Sequence, residues 1–325
     1  MIDQITFNYP NFNLSLYKQF NLDLTNLDDT KLVEHYETIG KYQMRIYHEL
    51  SLFKKEKIYI FTTKYGYYIS LALQYLLFKN FIISEIIYEI DSSKKNLHII
   101  LFSQKVKVFP KNYIIYQLEQ KDISNWVDKK YELSILFSKK TWDYSQSNID
   151  KFPSIIGEKM LFVPIPMIPY NYINTTIDLN NTPCNDILFY GSINNIRKKK
   201  LLYLQSKLKE HRYYIKILNN KYGPELFQNI INSKIIINIH FYEDAILETC
   251  RMNEILSCNR LIISEKSNPI DNINYLLFKE KIVFVDDIDM MYTKILYYLD
   301  ENNKDEYDNI LKHNVINTFD ICGLL

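Results

Sequence analysis

The sequence predicts an α/β protein built from two Rossmann-like domains, with a small helical appendage at the N-terminus. Short runs rich in Ile and Tyr alternate with amphipathic stretches, which predicts parallel strands covered by helices. The alternation occurs in two series, separated by FVPIPMIPYNYINTTIDLNNTP, whose proline and asparagine content is typical of an interdomain linker. A chain of 325 residues, 47% of them hydrophobic, is long enough to form two such cores.

The appendage is predicted to comprise residues 1–52. Its run FNLDLTNLDDTKLVEHYETIGKYQMRIYHEL predicts short helices, with Asp28 or Asp29 near a helix N-terminus and Gly40 as a C-cap. The first Rossmann-like domain is predicted at residues 53–165. Its expected elements are, in order, the strand KIYIF, a helix through ISLALQYLLF, the strands SEIIYEI, LHIILF and NYIIYQL, and WDYSQSNIDKF as a turn and helix.

The second Rossmann-like domain is predicted at residues 166–325. The strand DILFYGS is followed by a helix from about Asn195 to Glu210, and the last helix is expected from Asp287. Between them the sequence predicts the strand YYIKIL, the helix PELFQNIIN, the strand KIIINIH, the charged helix ETCRMNEILSC, and the strands RLIIS and KIVFV.

Composition narrows the classes of partner. The chain has 39 Lys and Arg residues against 38 Asp and Glu residues. Its net charge of +1 creates no strong electrostatic field that would favour binding to nucleic acid. Its four cysteines form no C-x-x-C pair, which argues against a zinc site or disulfide framework and favours a reducing compartment. The most apolar run, YYISLALQYLLF, is shorter than the roughly 20 residues that span a bilayer. We therefore expect a cytoplasmic protein with no membrane span.

Three charges spaced by three residues, Glu248, Arg251 and Glu254, mark the charged helix of the second series. Ligands of doubly wound sheets bind beyond the carboxyl ends of the strands, where this helix is expected to begin. Helix N–H groups and Arg251 suit phosphates, and the carboxylates suit sugar hydroxyls. The alternative is a chain of surface ion pairs at i,i+3, worth a few tenths of a kcal/mol. Spacing alone leaves both interpretations open.

A second phosphate-facing corner is predicted in DILFYGSINNIRKKK. Gly191 follows a strand there, and the next helix opens with Arg197 and Lys198. The same residues could also form a solvated basic turn.

Glu248 is a candidate for catalysis as well as for binding, and two further side chains are candidates for catalysis. Glu119, at the end of a predicted strand, is placed to act as a general base, although capping or ion pairing is an equal alternative. His240 ends the strand KIIINIH and could contact donor or acceptor, but a lone histidine at a strand end is more often structural. The run Asp287–Asp289 has the form D-x-D, yet it opens a helix, so we expect N-capping and no metal. Trp126 is expected to be a packing residue.

The run from Asp186 to Glu265 resembles the nucleotide-sugar half of GT-B glycosyltransferases, in particular the group related to spore-maturation protein CgeB and to glycosyltransferases of large DNA viruses. The motifs that carry the resemblance are YGSINNIRKK, NIHFYEDAILETCRMNEILSC and LIISE. The resemblance implies that Glu254 holds the nucleotide ribose and Arg251 the diphosphate. It further implies that Glu248 is near the hydroxyls of the donor sugar, and that Gly191 and Arg197 form the loop beneath the phosphates.

The resemblance extends to the first half through NYIIYQLEQ, WDYSQSN and FVPIP, and residues 1–50 resemble a small module attached to glycosyltransferases. Three positions depart from the pattern. Ile246 replaces the first of two glutamates expected eight residues apart, and Gln43 replaces an acid in the module. Asn259 stands where a helix-ending glycine is expected, and asparagine tolerates the left-handed conformation that this turn needs.

The resemblance implies a GT-B-like glycosyltransferase that moves a sugar from a nucleotide-diphosphate donor to a hydroxyl on a glycan or protein, without metal or cofactor. The first domain would hold the acceptor, residues 1–52 could dock a glycosylation complex, and the location would be host cytoplasm if the chain is viral. Two alternatives are a catalytically degenerate module that binds a glycan or partner, supported by Ile246, and a scaffold of a larger complex.

Overall fold

Two parallel β-sheets organise the chain, which confirms the predicted fold class of two Rossmann-like α/β domains. Every strand pair in both sheets is parallel. Parallel strands need crossover connections, and here helices supply most of them. The computed structural model describes residues 13–40, 45, 54–175, 184–243, 245–267, 280–312 and 321–325.

The first sheet has six strands in the order β2-β1-β3-β4-β5-β6. Its central strand β4 is buried at every position, as expected for a parallel strand covered on both faces. The strands are β1 Lys54–Phe61, β2 Ile82–Ile87, β3 His98–Ile100, β4 Tyr113–Gln117, β5 Lys140–Asp143 and β6 Met160–Phe162.

The second sheet has five strands in the order β11-β10-β9-β7-β8. The isoleucine-rich strands β9 and β10 lie at its centre and are almost wholly buried. Its strands are β7 Asn185–Tyr190, β8 Ile215–Leu218, β9 Ser233–Asn238, β10 Leu261–Glu265 and β11 Ile282–Val285.

Side-chain caps start several of the helices. Asn194 accepts a hydrogen bond from the main-chain N–H of Arg197 at 2.9 Å, and Asp287 accepts one from Met290 at 2.7 Å. The helices are α1 Leu14–Phe20, α2 Asp29–Thr38, α3 Tyr67–Lys79, α4 Lys129–Phe137, α5 Gln146–Ile149, α6 Ser154–Gly157, α7 Tyr170–Thr175, α8 Asn195–Glu210, α9 Pro224–Ile231, α10 Thr249–Ser257, α11 Ile288–Leu299 and α12 Lys304–Lys312. None of these helices combines the length and hydrophobicity needed to cross a membrane.

The helical appendage has its own small core around Tyr17 and Tyr36. Asp28 caps α2, as predicted. Gly40 is not the C-cap, because α2 ends at Thr38 with Ile39 in the capping position. Gly40 is required for a different reason: a Cβ atom there would lie 1.8 Å from the Tyr17 hydroxyl oxygen.

The first domain differs from the prediction in three elements. Trp142 and Asp143 belong to strand β5 rather than to a turn, and helix α4 and strand β6 were not predicted. β5 and β6 are only four and three residues long, too short for a hydrophobic period to stand out. Trp142 is fully buried, whereas Trp126 is 51% exposed, so the expectation that Trp126 is a packing residue was wrong.

Direct contacts join the two sheets into one structure. The Tyr68 hydroxyl on α3 lies 2.9 Å from Ser257 Oγ on α10, and Asn253 Nδ2 donates to the Ile165 carbonyl at 2.6 Å. Ile321 packs in the core cluster that both sheets share, so residues of the chain's last described segment contact the first domain. The strands of each sheet lie inside the predicted domains, while the boundaries themselves stay predictions.

Candidate active site

The candidate site lies at the carboxyl edge of the second sheet, where the strand order changes direction. β7 and β9 are neighbours there, but the chain continues from β7 to β8 on one side and from β9 to β10 on the other. In doubly wound sheets the crevice at such a point is where ligands bind. Gly191 follows β7, His240 lies just beyond β9 and helix α10 begins after Glu248, so the fold brings these predicted residues to one edge.

Glu248 is the N-cap residue of α10, yet its side chain does not cap the helix. It turns towards the end of β9, where Oε2 accepts a hydrogen bond from Asn238 Nδ2 at 3.0 Å and lies 2.7 Å from His240 Nδ1. Oε1 accepts from Arg197 Nη2 at 3.3 Å and from the Phe241 N–H at 3.4 Å. The carboxylate is therefore held by four protein donors.

Glu248 and His240 form a buried ion pair. Burial raises the pKa of Glu248, but the hydrogen bond and charge of His240 outweigh it and lower the pKa to about 2. Burial lowers the pKa of His240, but Glu248 more than offsets this, so the pKa is raised. The second ring nitrogen, Nε2, lies 3.1 Å from the carbonyl oxygen of Lys266. Ser267 Oγ also lies 3.0 Å from Nε2, so this nitrogen faces a carbonyl and a hydroxyl group, while Nδ1 faces the Glu248 carboxylate.

Arg197 is also buried, with 2% of its surface exposed. Its Nε donates to the Ile239 carbonyl and its Nη1 to the Ser192 carbonyl, each at 2.8 Å. Its guanidinium lies 5.5 Å from the ring centroid of Phe189 and 5.2 Å from that of Phe241. Burial lowers the pKa of Arg197 to about 9, which keeps it charged at neutral pH. Arg197 thereby ties the loop after β7 to the end of β9.

Arg251 differs from Arg197 in its partners. Its Nη1 donates to Asn238 Oδ1 at 2.6 Å, and the guanidinium lies 5.2 Å from the ring centroid of Tyr190. Among the residues the structure describes, no carboxylate lies within 4.0 Å of it, so the i,i+3 ion-pair interpretation was wrong. Most N–H groups of the Arg251 guanidinium have no hydrogen-bond partner among the described residues. The positive charge of Arg251 is therefore available to a ligand.

Gly191 makes room for this guanidinium. Its φ of +125° is a conformation that favours glycine, and a Cβ atom there would lie 2.5 Å from Arg251 Nη2. The absence of a side chain at Gly191, directly after β7, therefore allows the Arg251 guanidinium to lie in this position.

Glu254 carries the second carboxylate of the charged helix into the site. Its Oε2 accepts a hydrogen bond from the Tyr190 hydroxyl at 2.8 Å, and Oε1 has no hydrogen-bond partner in the described residues. Burial raises the pKa of Glu254 to about 7, against the opposing effects of the Tyr190 hydrogen bond and Arg251. Oxygen acceptors of Glu254 are therefore available to hydroxyl groups.

A cleft of about 430 Å³ contains these groups, and two kinds of residue line it. Polar and charged residues form one set, and aromatic side chains from both domains form the other, with Lys64 Nζ 5.7 Å from the ring centroid of Tyr222. The first set includes Gly191, Ser192, Arg197, Glu248 and Arg251, and the second includes Tyr65, Tyr67, Tyr68 and Tyr222.

The first domain closes one side of this cleft. The side-chain amide of Gln120 accepts from the N–H of Ile246 at 3.2 Å and donates to its carbonyl at 3.4 Å. The Tyr65 ring meets that of Tyr222 at 5.0 Å, edge to face. Ile246, which stands where the resemblance expects a glutamate, is 3% exposed and packs in the core. Ile246 contributes its main-chain N–H and carbonyl to the hydrogen bonds with Gln120, and its side chain does not line the cleft.

Glu119, the predicted general base, does not line the cleft. Its carboxylate accepts from Gln104 Nε2 at 2.9 Å and from Ser124 Oγ at 2.7 Å. Buried polar groups hold its main chain: the Glu119 carbonyl accepts from Asn148 Nδ2, which also donates to Asp143 at 2.8 Å. This network belongs to WDYSQSN and holds the loop that presents Gln120 to the second domain. The base role of Glu119 stays a prediction.

No protein-family model matches the chain, and no curated protein matches its sequence. Among solved structures, the chain is similar to an alpha1,3-fucosyltransferase with GDP, with 11% identity over 82% of this chain and 83% of that chain and a TM-score of 0.42. It is also similar to a glycosyltransferase from Rickettsia africae, with 12% identity, coverage of 80% and 92% and a TM-score of 0.44. A third similar structure is HepE from Anabaena in complex with UDP, with 9% identity, coverage of 79% and 92% and a TM-score of 0.40.

Two smaller predictions concern turns near the site. Asn259 ends the turn after α10 with φ of +56°, which confirms the left-handed conformation expected there. Asp287 caps α11, as expected. Across the described ranges no group of three or more His, Cys, Asp or Glu side chains could hold a metal, and metal independence stays a prediction.

Sequence reasoning missed two residues that organise the site. Asn238 is fully buried and contacts both Glu248 and Arg251, and Tyr190 holds Glu254. A signal for Asn238 was present: it is a polar residue inside the isoleucine run of β9, one position before the strand leaves the sheet. A buried amide in such a strand must find partners, so it indicates a polar network at that edge.

Proposed function

We propose that this protein is a glycosyltransferase that takes its sugar from a nucleoside diphosphate sugar and transfers it to a hydroxyl acceptor. The observation that carries the proposal is a single cleft lined both by the guanidinium of Arg251, which has no carboxylate partner among the described residues, and by the aromatic side chains of Tyr67 and Tyr222. A nucleoside diphosphate has the matching form, an aromatic base at one end and two phosphates at the other. Glu254 lines the same cleft, which supports a role for its carboxylate as the acceptor of hydrogen bonds from the ribose hydroxyls.

The phosphates would bind Arg251 and the main chain around Gly191 and Ser192. In the transfer, a bond forms between the acceptor oxygen and the anomeric carbon, the bond from that carbon to the diphosphate breaks, and the acceptor hydroxyl gives its proton to the leaving diphosphate or to water. Negative charge grows on the leaving diphosphate, and the fixed charge of Arg251 stabilises it in a site partly closed to water. Arg197, which is paired with Glu248, donates to the Ser192 carbonyl and so holds the loop that borders the same site. In this proposal these groups bind and stabilise the leaving diphosphate without a metal or cofactor.

The donor can be identified by a thermal-shift screen with UDP, GDP, TDP and their common sugars, with and without Mg²⁺. A nucleotide at about 100 times its Kd adds roughly 2.7 kcal/mol to the free energy of unfolding and raises the melting temperature. A shift without Mg²⁺, followed by release of nucleoside diphosphate from its sugar, is the expected result. A folded sample that responds to no nucleotide would contradict the proposal.

Replacing Arg251 with alanine should weaken nucleoside diphosphate binding by about 1.5 to 3 kcal/mol, because a charge-assisted contact to phosphate is lost. Stability should change little, since the Arg251 side chain donates one hydrogen bond within the described residues, to Asn238. Isothermal titration measures the affinity, and urea unfolding measures the stability. Lys209, exposed at the far end of α8, provides the control: Lys209→Ala should bind as wild type. Equal affinity of both variants would exclude Arg251 from the phosphate site.

Replacing Gly191 with alanine should displace the Arg251 guanidinium, because the new methyl group would lie 2.5 Å from Nη2. The backbone conformation adds strain of about 1 to 3 kcal/mol. We expect at least tenfold weaker nucleotide binding together with a lower urea midpoint. Gly157→Ala is the matched control, since its nearest neighbour would be 3.6 Å away and its φ is not positive. Unchanged binding by Gly191→Ala would show that nucleotide binding does not depend on the close approach of Arg251 to Gly191.

A second candidate function is a catalytically degenerate module that binds a nucleotide sugar or glycan without turnover. One observation favours it: the side chains of Glu119, His240 and Glu248, the predicted catalytic residues, are all engaged by protein partners. Binding of a nucleotide sugar without release of nucleoside diphosphate, in the presence of candidate acceptors, would support this alternative.

The narrower parts of the proposal rest on the sequence motifs. These are membership of the CgeB-related and large-DNA-virus group, a glycan or protein acceptor in the first domain, a cytoplasmic location, and a docking role for residues 1–52. Removal of residues 1–52 should then leave nucleotide affinity unchanged and reduce binding to a glycosylation partner.

A further inference from the structure

Asn238 lies at the end of β9 between two groups of opposite charge. Its Oδ1 accepts a hydrogen bond from Arg251 Nη1 at 2.6 Å. Its Nδ2 donates to Glu248 Oε2 and to Ser264 Oγ, each at 3.0 Å. The orientation of the amide is fixed by chemistry, because a guanidinium can only donate and a carboxylate can only accept. The three contacts use both N–H donors of the amide and one lone pair of its oxygen.

The amide separates charges that would otherwise pair. Glu248 interacts with Arg197 and His240, and Arg251 faces the oxygen of a neutral group. A carboxylate beside a buried guanidinium offsets its positive potential, so a phosphate gains less from binding there. A neutral amide leaves that positive potential in place.

We propose that Asn238 is a specificity-determining residue, whose neutral amide keeps Arg251 unpaired and makes the cleft select a diphosphate over an uncharged nucleoside. The inference rests on the proposed function, because it assumes that a nucleoside diphosphate is the ligand. Asn238 need not contact the nucleoside diphosphate itself. Asn238 acts through Arg251 and is a positioning residue for it.

The isosteric change Asn238→Asp tests the role of neutrality. A carboxylate in the same place would pair with Arg251 and repel Glu248, whose Oε2 now lies 3.0 Å from the side-chain amide nitrogen. We expect affinity for the UDP or GDP that wild type binds to fall roughly tenfold or more, while affinity for uridine or guanosine changes less than about threefold. A merely structural role would lower both affinities together.

Two variants serve as controls. Ser264→Ala removes a hydrogen-bond partner of Asn238 without changing charge, and it should retain the preference for diphosphate over nucleoside. In an Arg251→Ala background, Asn238→Asp should leave that preference unchanged, because its target is gone. Loss of preference in Ser264→Ala, or an undiminished effect of Asn238→Asp without Arg251, would overturn the inference.

A measurement on wild type covers the case in which Asn238→Asp does not fold. Phenylglyoxal modifies accessible, unpaired guanidinium groups, and mass spectrometry locates the product. Arg251 should be modified and protected by UDP, GDP or pyrophosphate, whereas Arg197, 2% exposed and ion-paired, should resist. Equal resistance of both arginines would contradict an unpaired Arg251.

The two proposals fail differently. If wild type binds neither UDP, GDP, TDP nor their sugars, the proposed function fails and this inference fails with it. If wild type binds one of them and Asn238→Asp binds it equally well, the proposed function stands and the role of Asn238 is refuted.

Discussion

Replacing Glu254 with glutamine is expected to stabilise the ligand-free protein at pH 8 and to remove most of its affinity for nucleoside diphosphates. Burial raises the pKa of Glu254 from its usual 4.5 to about 7, so ionising this carboxyl in the folded protein is unfavourable. Each pKa unit corresponds to about 1.4 kcal/mol. Because the side chain is partly exposed, we expect a gain of about 2 to 3 kcal/mol in the free energy of unfolding.

The stabilisation should depend on pH in a defined direction. A carboxyl whose folded pKa is raised contributes stability below pH 4.5, and that contribution is lost as the pH rises through about 7. The advantage of Glu254→Gln should therefore be below about 1 kcal/mol at pH 5 and reach its full size above pH 7. Urea unfolding of both proteins at pH 5, 6, 7 and 8 measures it.

Binding should change in the opposite sense. The ionised carboxylate accepts ribose hydroxyls, so wild-type nucleotide affinity should rise between pH 6 and pH 8, and Glu254→Gln should bind at least tenfold more weakly at pH 8. The control is Glu210→Gln, which changes an exposed carboxyl at the end of α8 and should alter neither property. A variant that is more stable but binds less is the signature of a carboxylate retained for function. Full affinity in Glu254→Gln would exclude a ribose contact.

Replacing Glu248 with alanine should have the largest effect on stability. Glu248 is the common partner of Arg197 and His240, whose side chains are 3% and 6% exposed, and the change leaves both buried cations without it. Removing one member of a buried ion pair lowers the free energy of unfolding by about 3 to 5 kcal/mol. Chemical unfolding at pH 6 measures the loss. The control is Glu85→Ala, because Glu85 pairs with Lys57 on the surface, where exposed pairs contribute about 1 kcal/mol or less.

The pH dependence of this pair has two limits. The pKa of Glu248 is lowered to about 2, so its contribution is complete above pH 4.5 and is lost as the pH falls towards 2. The pKa of His240 is raised, so its contribution is complete below pH 6.5 and is lost as the pH rises through the raised value. The difference between wild type and Glu248→Ala should therefore be largest from about pH 4.5 to 6.5. A difference equal to that of Glu85→Ala would show that Arg197 and His240 find other partners.

The sequence predicted long elements better than short ones. Helix α8 was predicted from about Asn195 to Glu210 and has these limits, because a cap and sixteen residues of regular pattern mark it. The short strands β5 and β6 depend on neighbours in the sheet for their hydrogen bonds, so their own residues carry little signal. Gly40 shows a different limit: its position suggested a C-cap, but its close approach to Tyr17 is a tertiary contact.

The sequence by itself determined that two α/β domains form, that a glycine follows β7, and that three charges with helical spacing lie at the start of α10. Only the tertiary structure decided the partners of those charges. The spacing of three residues was also consistent with ion pairs along the helix. In the structure Glu248 pairs with Arg197 and His240 instead, and Arg251 contacts Asn238. Side chains separated by many residues meet because parallel strands place their carboxyl ends along one edge, and the energy of a charge depends on the groups that replace water around it.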